Sequence, residues 1–91
     1  MHVLAVGTLT TQDFQQHLPE EGEVVARWFQ EGALKDVYLK ADRSGPILVL
    51  NDTDTAGAQK RMADLPFVVH GVATFEYIEI LDRPDVPPTR N

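Results

Sequence analysis

Three segments of this chain carry apolar residues on both faces of an extended strand, and this limits its folds more than any other feature. His2–Leu9 sets Val3 and Ala5 on one face against Leu4 and Val6 on the other. Ile47–Leu50 sets Ile47 and Val49 against Leu48 and Leu50, and near the C-terminus Phe75, Tyr77 and Leu81 oppose Ile78 and Ile80. Side chains alternate across a strand, so a sheet with one wet face reads apolar-polar-apolar. Here both faces demand cover. Each buried Val, Leu or Ile is worth about 1.5–3 kcal/mol, and monomers seldom leave a broad apolar patch in water.

Four strands and two helices account for the chain to about residue 81. The strands are His2–Leu9, Ala33–Lys40 after the helix-ending Gly32, Ile47–Asn51 opened by Pro46, and about Val72–Leu81, rich in β-formers. The first helix starts at Pro19-Glu20-Glu21, with proline pre-set for the first turn and acids near the positive end of the dipole. Its apolar residues Val24, Val25, Trp28 and Phe29 share one helical face. The second follows the N-cap cluster Asn51-Asp52-Thr53-Asp54, turns Ala58, Met62 and Leu65 inward, and ends at Pro66. Thr11–Leu18 reads either as a short leading helix or as a loop. Residues 82–91 hold three of the six prolines and read as a tail, extended or lying on a partner subunit.

The order β-α-β-β-α-β predicts an α+β, ferredoxin-like domain over residues 1–81, with a four-stranded antiparallel sheet and both helices on one face. Two helices cover one sheet face. A second copy offering the same bare face covers the other, which predicts a homodimer whose two sheets close a barrel. The 14 Asp+Glu outnumber the 8 Lys+Arg, for a net charge of −6. That balance, with no basic cluster, argues against nucleic acid and anionic membranes as partners. No apolar run is long enough to cross a bilayer, and no signal peptide is readable at Met1–Gly7, so the expected compartment is the cytoplasm. The absence of cysteine excludes disulfides, thiolate metal sites and cysteine nucleophiles.

At this point the chain resembles the muconolactone isomerase-like and YCII-related dimeric α+β barrel proteins. The residues that carry the resemblance are Glu31-Gly32 closing the first helix, the strand and turn to Gly45, Ile47-Leu48-Val49-Leu50, Leu65-Pro66-Phe67, and Phe75-Glu76-Tyr77-Ile78-Glu79-Ile80. The pattern is structural more than catalytic. Strand two, Ala33-Leu34-Lys35-Asp36-Val37-Tyr38, lacks the Trp/Arg/His-rich strand of a muconolactone isomerase, and His17 stands without the paired histidine of YCII-related proteins. The resemblance implies a small-molecule enzyme or binder built on this barrel.

Three residues are candidates for chemistry. Glu76, beside Ile78 and Ile80, becomes a proton-abstracting base if burial raises its pKa; its plain reading is a paired strand carboxylate. His70, in the loop before the last strand, titrates near neutrality and is a second proton carrier or an ordinary loop histidine. Tyr38, placed on one face with Leu34 and Asp36, is a donor for a developing enolate oxygen or an interface aromatic. His17 just before the first helix reaches the same mouth or is simply exposed, and Arg43 greets an anionic substrate or is a solvated turn residue. Glu20-Glu21-Gly22-Glu23 reads as the solvated start of a helix. Three histidines without shared spacing make no metal-ligand set, and the glycines are isolated, so no metal or cofactor is expected. The leading expectation is a cofactor-independent enzyme moving a proton on a small apolar or aromatic carbonyl or lactone compound, as in isomerisation or an oxygenation begun by proton loss. The competing one is a non-catalytic dimeric module that binds a small molecule or a partner.

Overall fold

The computed structural model describes residues 1–81; the proline-rich tail lies outside the described residues. The chain runs β1 (His2–Leu9), a 3₁₀ turn (Gln12–His17), α1 (Leu18–Gln30), β2 (Leu34–Leu39), β3 (Pro46–Leu50), α2 (Thr55–Met62), α3 (Pro66–Val69) and β4 (Ala73–Ile80). The sheet order is β2-β3-β1-β4, and all three pairings are antiparallel. This is the ferredoxin-like α+β arrangement expected from the sequence. Within the segment Thr11–Leu18, Gln12–His17 form the 3₁₀ turn that leads into α1, and Pro66 opens the short helix α3 at a position where its missing N–H costs nothing.

Both main helices pack on one sheet face. There Val3 and Ala5 of β1, Leu34 of β2, and Leu48 and Leu50 of β3 meet Trp28 of α1 and Ala58 and Met62 of α2, all buried, with Leu65 beside them. Arg61 lies over the Trp28 ring at 5.3 Å and bridges to Glu31 at 3.4 Å, sealing the core from α2 to the end of α1. The helix ends follow the chemistry of their caps. Asp54 accepts the Gly57 N–H at 2.8 Å, Glu79 reaches from β4 to accept the Thr55 N–H at 2.9 Å, and Gly32 takes φ +79 just beyond α1.

The register settles the face of every strand residue. Leu4 pairs with Val49 and Ile78, and Val6 with Ile47 and Glu76, so these six lie on the face away from the helices. Strand β2 departs from simple alternation. Leu34 pairs with Leu50, but Asp36 pairs with Val49, so two residues of β2 stand against one of β3. The bulge moves Asp36 and Tyr38 to the outer face while Leu34 stays inside, and the shared face expected for Leu34, Asp36 and Tyr38 is corrected accordingly.

Gly45, buried where the turn enters β3, lies against β1. A Cβ there would press on the Gly7 carbonyl oxygen and come within 2.9 Å of Thr8 Cα, both of them backbone groups that cannot swing aside. Two backbone bonds hold the same turn, Leu9 N–H to Ser44 C=O and Lys40 N–H to Gly45 C=O. Gly45→Ala is therefore expected to destabilise the fold by about 1–3 kcal/mol, seen as a lower urea midpoint at unchanged slope.

Candidate functional site

Trp28 fills the space between α1 and the sheet at one end; about one, two and three turns earlier on the same stripe stand Val25, Glu21 and Leu18. The result is a cavity of about 290 Å³ under the first half of α1. Leu18, Glu21 and Val25 form its roof, Val37, Leu39, Pro46 and Leu48 its floor, and Leu9, Phe14 and Phe67 its sides. Phe14 meets Phe67 edge-on at 6.2 Å. Glu21 is the one charged residue in this lining.

Glu21 is only 7% exposed. It accepts the Phe67 backbone N–H at 3.0 Å, a bond that favours its ionised form. Loss of hydration outweighs that bond, and burial pushes its pKa up to about 7. A carboxyl group in an apolar cavity that is half ionised at neutral pH can take a proton and return it. A shallower depression of about 560 Å³ shares Leu9 and Phe14 with the cavity and brings in Arg43 and Ser44. The more apolar cavity, which holds the perturbed carboxyl, is the better site for chemistry.

The three residues singled out from sequence are not brought together. Tyr38, Ile47, Val6 and Glu76 form one cross-strand row on the outer face, with Tyr38 on one edge strand and Glu76 on the other. Three strand spacings separate them, about 14 Å. Tyr38 is 55% exposed and donates its hydroxyl to Asp36 at 2.5 Å, which raises the Tyr38 pKa, chiefly through that bond. Glu76 is exposed. His70 lies on the helix side of the sheet, where its ring stacks on His17 at 3.8 Å and 12° and its Nε2 stands 3.7 Å from Glu20. None of the three is in the lining of the Glu21 cavity.

Glu21 is the residue that sequence reasoning passed over, because three glutamates at a helix start look solvated. The signal was its spacing. Leu18, Glu21, Val25 and Trp28 fall at i, i+3, i+7 and i+10, an inward stripe with a carboxyl in the middle.

The raised pKa has a consequence for stability. The unfolded chain loses the Glu21 proton near its ordinary value of 4.5 and the folded chain near 7, so the folded state holds more protons between them. The stability linked to this proton is complete below pH 4.5 and is lost as pH rises through 7. Glu21→Gln keeps an acceptor for the Phe67 N–H and removes the charge. Its urea midpoint is expected to exceed that of the wild type at pH 8.5, with the difference shrinking as the pH falls to 5.

No family model matches this chain, and no curated protein matches it. Solved structures do. Muconolactone isomerase superposes with a TM-score of 0.75 over 100% of this chain and 99% of its own, at 15% identity. The 5-chloro-2-hydroxyhydroquinone dehydrochlorinase of Burkholderia phenoliruptrix AC1100, solved with 2,5-dihydroxybenzoquinone, gives 0.67 over 89% and 94%, at 13% identity. At these identities the likeness is one of fold: this chain shares the α+β fold of muconolactone isomerase.

Proposed function

We propose that the chain is a small-molecule enzyme that moves a proton on a compact cyclic carbonyl or lactone compound, with Glu21 as the base. The observation that carries this reading is the Glu21 carboxyl itself, buried in an apolar cavity and held near pKa 7. A cavity of about 290 Å³ suits a ring of one or two fused units. Apolar walls raise the energy of a free carboxylate and favour transfer of a proton to it from a carbon acid. The Phe67 N–H fixes the carboxyl's orientation. Arg43, in the adjoining depression, is placed to attract an anionic substituent left outside the apolar cavity. The fold neighbours support the substrate class, one being an isomerase named for a lactone and the other a dehydrochlorinase solved with a hydroxyquinone.

The same reading includes a homodimer. Leu4, Val6, Ile47, Val49, Ile78 and Ile80 share the face that neither helix covers, and Ile78 is 51% exposed. A second copy presenting this face buries both, with Tyr38 and Glu76 at the rim. The chain is then expected to run at about 20 kDa, twice its 10.2 kDa, in light scattering. Ile78→Glu places two like charges across a two-fold interface and is expected to return it to 10.2 kDa.

The catalytic reading is tested by proton exchange. Small unsaturated lactones and hydroxyquinones are incubated with the protein in D₂O, and loss of the exchangeable C–H signal is followed by NMR. The rate with an accepted compound should rise with pH through about 7 as Glu21 ionises, and Glu21→Gln should lower it by about 10²–10⁴-fold. An accepted compound whose exchange is untouched by Glu21→Gln overturns the assignment. Saturable binding with no exchange in the wild type supports the non-catalytic binding module instead.

A further inference from the structure

The chain brings together, at the start of α1, a set of side chains that the reading of Glu21 does not use. His17 closes the 3₁₀ turn, Glu20 follows on the first turn of α1, and His70 arrives from the far end of α3. His17 Nδ1 stands 3.4 Å from Glu20 Oε1, and His70 Nε2 stands 3.7 Å from the same oxygen. The three donor atoms all lie within 4.8 Å of one another. Their side chains are 20%, 59% and 38% exposed in chain order, so an ion reaches them from solvent.

We propose that His17, Glu20 and His70 form a binding site for a borderline divalent transition-metal ion, with Zn²⁺ as its natural probe. Two imidazoles and one carboxylate are a donor set that such ions take, leaving a fourth position for water or an exogenous ligand. Neither contact to Glu20 has the length of a strong charge-assisted hydrogen bond, about 2.7–2.9 Å, so the carboxylate oxygen is shared loosely between two rings. Ligand atoms on one tetrahedral ion at about 2.0–2.2 Å stand about 3.3–3.6 Å apart, near the spacing already present. What must change is ring direction. Parallel rings 3.8 Å apart aim their lone pairs side by side, so both rings must swing out of the stack before they converge on one ion. Glu20, Glu21 and Glu23 on the same helix and the net charge of −6 favour a cation here.

The site is independent of the Glu21 reading, and its test leaves that carboxyl untouched. Zn²⁺ is titrated into the full chain at pH 7.5 by calorimetry, with the imidazole signals followed by NMR. One saturable site per chain is expected, with the His17 and His70 ring signals moving together. His2, whose Nδ1 accepts the Asp52 N–H at 3.1 Å, should not follow them. His17→Ala and His70→Ala should each weaken binding by about 100-fold, and Glu20→Gln by about 10-fold or more. Both histidines are at least partly exposed, so the variants are expected to keep the wild-type circular dichroism. No saturable binding at millimolar Zn²⁺ overturns the proposal. Binding that survives the double replacement of His17 and His70 overturns it too, by placing the ion elsewhere.

Discussion

Strand β1 lies between β3 and β4, so its backbone is committed to two ladders, and its side chains are apolar on both faces. Val3 and Ala5 are fully buried under the helices, while Leu4 and Val6 sit on the opposite face between apolar residues of both neighbours. Everything else is arranged around this strand. Gly7 leaves room on it for its cross-strand neighbour on β4: a Cβ there would meet the Phe75 ring within 2.6 Å. Beneath the first half of α1 the sheet residues Leu9, Pro46 and Leu48 border an open space of the kind that Trp28 fills beneath the second half.

Into that room the fold places a carboxyl group. An apolar residue at position 21 would extend the core; a glutamate there loses hydration and gains one backbone hydrogen bond. The outcome is a group whose ionised form is disfavoured enough to titrate near neutrality, at the expense of stability at alkaline pH. Sites that trade folding free energy for a tuned pKa are where chemistry is to be sought.

The polar groups around this core divide by the constraint each one answers. Glu79 and Asp54 satisfy the orphan amides at the start of α2, which is structural work. Asp36 and Tyr38 are turned outward by the bulge in β2 and bond to each other. Glu20, His17 and His70 satisfy no backbone group with their shared contacts, and they gather from segments about fifty residues apart in sequence.

Periodicity and caps made the strands, both main helices and the two-sided sheet legible from the residues alone, because alternation, N-caps and prolines act within a few neighbours. The Leu18-Glu21-Val25-Trp28 stripe was equally local, yet its carboxyl reads as a site only once the sheet is beneath it. Other features depended on distance in the chain. One extra residue between Leu34 and Asp36 reversed the face of Tyr38, and only pairing with β3 reveals such a bulge. The stack of His70 on His17 needs α3 to return to the start of α1, which no spacing along the sequence records. Local propensity thus determined which elements form and which of their faces are apolar. Tertiary packing decided which titratable groups lose their water, because desolvation depends on what lies across a gap and not on what lies next in the chain.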